Sequence, residues 1–343
     1  MESAIPPHLG CPRTRPRAVA DDFTPPVASW SARAPESMTE VAIGYFGVQG
    51  RKGADARILR AGFETLLAEL GAKDGPARRD LARYVDADGY ENLIAIAYWD
   101  DPFAYGRWRT GSFADWWSAD ERLREPIGYF REVLTPRMER LETIFSSTAS
   151  LQGLGALMGG FSDEIREHGY WGSMRDRLPA AQIEALNGEG ALAAITAGRG
   201  RLTVAGHRNL VVIRSGQDWS KTDGAERRLY LDDIEPTLRA GMDYLRDHGR
   251  EAGCYVNRYV RLIDEAGDPI EKSFGYSHWR SLAHLERWAA SHPTHLAIFD
   301  LFLRVAAGLE KLELHHEVCV LEPEWQTYEY VNCYAGTGLA GAL

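Results

Sequence analysis

Two short segments hold histidines in settings where chemistry is possible: Ser291-His292-Pro293-Thr294-His295-Leu296 and, further on, His315-His316-Glu317. From His295 onward, His295, Ile298, Phe299, Phe302, Val305 and Ala306 fall on one stripe with the i, i+3, i+4, i+7 spacing of a helix face. An imidazole opening such a face can be a satisfied core residue, a metal ligand or the axial ligand of a haem, and neighbouring Phe and Ile suit a flat apolar macrocycle best. Spacing by itself favours the core residue, because intermediate burial is ordinary for histidine. His292 sits before Pro293 at the helix start and off the stripe.

The second pair is separated by strand alternation. Over residues 312–321, Leu312, Leu314, His316, Val318 and Val320 share one face, while Glu313, His315, Glu317, Cys319 and Leu321 share the other. This places His316 in the apolar interior and His315 toward solvent beside two glutamates. A buried imidazole needs a hydrogen-bond partner, and in a pocket it is the natural proton donor and acceptor near neutral pH; a core histidine bonded to backbone fits the same pattern. Two further segments could build a site. Ile213-Arg214-Ser215-Gly216-Gln217-Asp218-Trp219 ends a strand in a Ser-Gly turn, where the Ser215 hydroxyl can face a ligand or cap the turn. In Gly169-Tyr-Trp-Gly-Ser-Met-Arg175-Asp176, Arg175 can aim at a polar ligand atom or pair with a surface carboxylate. The sequence has no GxGxxG after a strand, no P-loop, no HExxH, no GxSxG and no CxxCH for covalent haem attachment.

The elements that must position these residues alternate along the chain. Residues 1–35 hold seven of the sixteen prolines and read as an extended arm that wraps the body or a partner subunit. Strands are expected at 41–48 and 92–99, with a helix at 55–71, a loop around Gly75-Pro76, and helices at 101–109, 112–119 and 126–140. The later part predicts strands at 201–206, 209–214, 254–262, 271–279 and 312–321, and helices at 231–248, 281–290 and 293–308. An internal echo links the two parts. Tyr98-Trp99 ends a strand with Trp108 nine residues on, and His278-Trp279 ends another with Trp288 nine residues on, the two copies 180 residues apart. Tyr129–Val133 leading to Leu141-Glu142-Thr143 reads as the counterpart of Leu301–Val305 leading to Leu314-His315-His316, which gives Glu142 a candidate pocket role. The echo predicts a duplicated α+β unit, with halves at 36–150 and 151–343, whose sheets close toward a barrel.

With 343 residues, 45% apolar and 26% charged, the chain can bury a sizeable core. A net charge of −10 without basic runs argues against nucleic acid or an anionic membrane as partner. No apolar stretch is long enough to span a bilayer and no basic-then-apolar segment opens the chain, so a cytoplasmic location is expected. Cys11, Cys254, Cys319 and Cys333 form no CxxC and read as reduced thiols.

Taken in order, MESAI (1–5), CPRT (11–14), GYENLI (89–94), HGYWGSMR (168–175), IRSGQDW (213–219), SHPTHL (291–296), RVAAGL (304–309) and YVNC (330–333) resemble the haem-containing aldoxime dehydratases. The resemblance runs from residue 1 to about 338. It implies an α+β fold in which two ferredoxin-like halves form a dimeric-type barrel with flanking helices. It also implies one haem b per subunit, ferrous when active, conversion of an aldoxime to a nitrile and water, and pairing as a homodimer. By the same resemblance His295 is the proximal iron ligand, with Ser215, His316 and Arg175 on the distal side. A haem peroxidase or chlorite-dismutase-like enzyme on a related barrel, or a haem-binding protein without catalysis, are the other classes the same residues admit.

Overall fold

The computed structural model describes residues 1–53, 56–198 and 200–343, so that Asp55, the first residue of the helix expected at 55–71, lies outside the described residues. The first run of elements is β1 (Ala42–Arg51), α1 (Ala56–Leu70), β2 (Arg78–Val85), β3 (Tyr90–Trp99), α2 (Pro102–Thr110), α3 (Ser112–Ser118), α4 (Glu121–Arg124), β4 (Gly128–Leu134) and β5 (Leu141–Phe145). After the five-residue helix α5 (Ser173–Arg177) come β6 (Ala193–Gly198), β7 (Arg201–Ala205), β8 (Leu210–Asp218), α6 (Gly224–Leu229), α7 (Glu235–Ala252), β9 (Cys254–Ile263), β10 (Pro269–Trp279), α8 (Leu282–Ser291), α9 (Pro293–Val305), β11 (Glu313–Leu321) and β12 (Gln326–Val331).

Among the described residues the strands form one antiparallel sheet in the order β5-β11-β8-β10-β9-β2-β3-β1-β4-β12-β7-β6. Within it the order β2-β3-β1-β4 is repeated as β9-β10-β8-β11, and in each unit helices connect the first strand to the second and the third to the fourth. The Trp echo marks equivalent corners of the two units: the rings of Trp99 and Trp108 lie 5.0 Å apart at 44°, those of Trp279 and Trp288 5.6 Å apart at 42°. β2 and β9 join the units through Leu81–Arg83 against Arg261–Ile263. The sheet curls, so one interior gathers Tyr45 and Phe130 from one unit, Val212, Phe274 and Cys319 from the other, and Tyr328 from β12. The outer faces are covered by α1–α3 on the first unit and by α7 and α8 on the second.

Several expectations need correction. Residues 126–140, expected as a helix, contain β4, whose two faces are both buried, so no polar alternation shows in its sequence. Its Glu132 is fully enclosed and held by Arg258 at 2.6 and 2.7 Å, which gives the strand the polar residue that suggested a helix surface. The second leg of the echo fails with it: Tyr129–Val133 is strand, whereas Leu301–Val305 lies in helix α9. β2 adds a strand just after the loop at Gly75-Pro76, where none is expected. The halves also exchange edges, β5 pairing with β11, and β12 with β4. The N-terminal arm is extended and lies on the body, through bridges Glu2–Ile165, Trp30–Phe145 and Ala32–Phe161. No described helix is long and apolar enough to cross a membrane.

Candidate active site

The two units treat the gap between helix and sheet differently. In the first, Trp108 of α2 and Phe113 of α3 stack at 4.1 Å and meet Phe46 of β1, so aromatic rings fill the space over the sheet. In the second, α9 stands off the sheet and leaves an open cleft of about 980 Å³. Its start is set by Pro293 in the first turn and by His292, whose Nδ1 accepts from the Thr294 amide at 3.3 Å. One turn in, His295 lies edge-on to Trp288 at 4.7 Å and Trp171 at 5.9 Å. It lines the cleft with Ile298, Phe299 and Phe302, and although α9 is strongly apolar none of its residues is buried.

The His295 ring has no side-chain hydrogen bond, its Nδ1 being buried without a partner of normal geometry. Burial holds the imidazole down to about 4 against the opposing influence of the Ala289 carbonyl, so it is neutral at physiological pH. A neutral imidazole at the head of an apolar helix face, over an apolar cleft, has the chemistry of an axial haem ligand, and the residues present fit that group.

The opposite wall is the sheet face of β8, β11 and β5. Register sets His316 beside Ser215 on one side and Ile144 on the other. The Ser215 hydroxyl has no protein partner among the described residues and borders the cleft, as does His316. The Nε2 of His316 lies 2.9 Å from Nη2 of Arg177 and 3.2 Å from Oε1 of Glu142. Arg177 in turn donates Nε to Glu142 Oε2 at 2.7 Å and Nη1 to the Glu167 carbonyl at 2.8 Å. This pair is almost fully enclosed, with side-chain exposures of 2% and 1%. Burial pushes the Glu142 carboxyl up, but the charges of Arg177 and then His316 outweigh it and bring it down to about 2. Arg177 only donates and Glu142 only accepts, so a neutral His316 either accepts from Arg177 at Nε2 or donates there to Glu142, and the latter tautomer leaves Nδ1 bare. An imidazolium donates to Glu142 at the same nitrogen. Either charge state has a partner, which is what a proton-transfer group requires.

Arg175 is placed elsewhere. Its guanidinium forks onto Glu286 at 3.0 and 2.7 Å and donates to the Ala185 carbonyl at 2.7 Å, and it does not border the cleft. Two residues along a helix turn a side chain by about 200°, so Arg177, not Arg175, reaches His316. The available signal was Glu142 inside the apolar run Leu141–Phe145, since a buried carboxylate requires a buried cation.

The outward reading of His315 is also corrected. It does face away from His316, but that face is the interior of the curled sheet, where His315 is 7% exposed. Its ring stacks on Phe145 at 5.7 Å and lies over Gly216, where any Cβ would come within 2.2 Å of it. Burial, then the charge of Arg214, holds it down to about 3, and neither ring nitrogen has a partner. Glu313 and Glu317 flank it as enclosed carboxylates, which made a buried face look solvated. Sequence reasoning also missed His168, which borders the cleft and bonds Ser29 of the arm at 3.1 Å; burial, then Arg177, holds it down to about 3.

A neutral apical histidine across an apolar cleft from a His–Arg–Glu cluster, on a curled antiparallel sheet, defines a haem enzyme with acid–base machinery, and residues 44–339 match the family model of the haem-containing dehydratases. The chain belongs to that family. It is similar to the aliphatic aldoxime dehydratase of Rhodococcus erythropolis, 48% identical across 99% of this chain and 97% of that one. It is also similar to the phenylacetaldoxime dehydratase of Bacillus sp. (strain OxB-1), 32% identical across 93% and 92%. A crystal structure of an aldoxime dehydratase in complex with butyraldoxime superposes with a TM-score of 0.97 at 48% identity, covering 100% of this chain and 96% of the other.

Proposed function

We propose that this chain dehydrates aldoximes, R–CH=N–OH, to nitriles in a haem-dependent lyase reaction, with His295 holding haem b and His316 carrying the protons. The observation that carries the reading is that His295 and His316 border one apolar cleft from opposite walls, with Arg177 and Glu142 meeting His316 from behind. When bound, ferrous haem supplies an electron-rich site for the aldoxime nitrogen, with no covalent tether because no CxxCH is present. The protein's own groups do the rest. Ser215 orients the oxime hydroxyl by a hydrogen bond. His316, as imidazolium, gives a proton to that oxygen as the N–O bond breaks, and water leaves. The neutral imidazole then takes the proton from the oxime carbon, the C–H electron pair completes the nitrile, and the enzyme is restored. Arg177 and Glu142 keep Nε2 of His316 satisfied through both charge states, a general acid–base step worth about 10²–10⁴-fold. The distal role expected of Arg175 is assigned in this reading to Arg177, with Arg175 anchoring α5 to α8.

The same reading takes the two repeated units as ferredoxin-like halves of a dimeric-type barrel, with subunits pairing as a homodimer in the cytoplasm. Aliphatic aldoximes are the favoured class, in line with the higher identity to the aliphatic enzyme than to the phenylacetaldoxime enzyme. The test is an anaerobic optical titration of the dithionite-reduced, haem-loaded protein with butyraldoxime, followed by nitrile detection. A spectral shift at the haem with butyronitrile formed is expected; binding without nitrile, or peroxide turnover exceeding aldoxime turnover, would sink the proposal.

A further inference from the structure

Arg177 is the last residue of α5, a helix of five residues. So short a helix has no stability of its own, so the position of the arginine that touches His316 has to be fixed from outside. Two buried carboxylates flank it. Glu167, 1% exposed, presents its carbonyl to Arg177 Nη1, while its carboxylate accepts from the Ala4 amide at 2.8 Å and the Ser3 hydroxyl at 3.3 Å. Asp176, 3% exposed, accepts from the Ala18 amide and the Tyr170 hydroxyl, both at 2.9 Å, and its backbone carbonyl accepts from Arg13 at 3.0 Å. Apart from Arg177 itself and Tyr170, these donors belong to the N-terminal arm. The arm is itself laced to the same segment: the Glu2 amide donates to the Glu164 carbonyl at 2.8 Å and the Arg166 amide to the Glu2 carbonyl at 3.0 Å. Arg33 closes the loop by donating to the carbonyls of Ser3 and Ala4, both at 2.6 Å.

We propose that Glu167 and Asp176 are positioning residues that lock Arg177 onto His316 and Glu142 by gripping the N-terminal arm, so that the arm is a working part of the proton-transfer machinery. This rests on the role given above to Arg177. The physical reason is that a proton relay tolerates little displacement, and these two carboxylates tie the chain on both sides of Arg177 to the arm, whereas the Arg175–Glu286 pair ties α5 to α8 alone. Neither carboxylate touches the cleft, so their loss should act on the proton step and not on cofactor or substrate binding.

The experiment uses haem-loaded, reduced enzyme carrying Glu167→Ala, Glu167→Gln or Asp176→Ala, with Arg177→Lys alongside. Haem per chain, butyraldoxime affinity by optical titration, and the single-turnover rate of nitrile formation as a function of pH are read for each. Glu167→Ala and Asp176→Ala should keep haem, hold affinity within about twofold and lose about ten- to a hundredfold in rate, since small displacements of a reacting group cost that much. Their rate–pH profiles should move in the same direction as that of Arg177→Lys. Glu167→Gln, which keeps an acceptor for the Ala4 amide, should recover most of the rate. Wild-type rate and pH profile in the carboxylate variants, or a loss that tracks haem content or folded fraction, would overturn the proposal. Should Glu167→Ala not fold, Asp176→Ala decides by the same readings. An unaffected Arg177→Lys would instead defeat the reading of the site, whereas an impaired Arg177→Lys beside unaffected carboxylate variants would defeat this inference alone.

Discussion

Replacing Arg177 by methionine keeps an unbranched, apolar stem and removes the charged guanidinium. The change takes away the guanidinium contacts to Glu142 at 2.7 and 3.2 Å, to His316 at 2.9 Å and to the Glu167 carbonyl at 2.8 Å, all at a buried position. Breaking one side of a buried ion pair costs about 3–5 kcal/mol, because the surviving charge stays enclosed. The Glu142 shift gives an independent figure: a carboxyl lowered from 4.5 to about 2 in the folded state contributes roughly 3 kcal/mol at neutral pH. The sign follows from its lower folded value. The contribution is full above the unfolded pKa near 4.5 and fades as pH falls toward 2. Arg177→Met should therefore lose about 3–5 kcal/mol by urea denaturation at pH 7, and the gap to the parent should narrow below pH 4.5. Turnover should fall as well, since His316 loses one of its two partners at Nε2. A variant within about 1 kcal/mol of the parent at pH 7, which is the scale of an ordinary surface change, would refute the reasoning.

Other outcomes are as specific. His295→Ala should abolish stable haem binding, read from the Soret band, while His292→Ala should keep haem and lose only about 0.5–2 kcal/mol of stability as a lost helix cap. His316→Ala should retain haem and aldoxime affinity and lose about 10²–10⁴-fold in turnover, whereas Ser215→Ala should also weaken binding by about 0.5–1.5 kcal/mol, the worth of one neutral hydrogen bond; equal effects of both on affinity would contradict the division of roles. In the haem-free protein, His168 and His315 held at about 3 and His278 and His295 at about 4 stay neutral in the fold while the unfolded chain protonates near 6.5. The unfolded state then binds more protons, so stability should fall with decreasing pH from about 6.5 by up to roughly 5 kcal/mol per unit. His315→Phe, which removes one of the four, should flatten that slope by about a quarter, and an unchanged acid slope would show that His315 is not enclosed as described.

The sequence by itself determined what depends on neighbours along the chain. The helix stripe of α9, its capped start at His292 and the emergence of His295 on the cleft side follow from a period of 3.6 and a proline, and the structure reproduces them within a few residues. Opposite faces for His315 and His316 follow from a period of two. The twin Trp corners follow from repeated local order. Tertiary structure decided everything that depends on which surfaces close on each other. Alternation separates two faces of a strand but does not say which lies inside, and β11 has a core on both sides because the sheet curls around one and α7 and α8 cover the other. The same double burial hid β4. Arg177 lies 35 residues from Glu142 and 139 from His316, separations at which no local signal survives. That contact exists because β5 crosses from the first unit to pair with β11 of the second, and because the arm holds α5 against that edge. Local periodicity fixes the direction of a side chain, but only the closure of the chain on itself fixes what it meets.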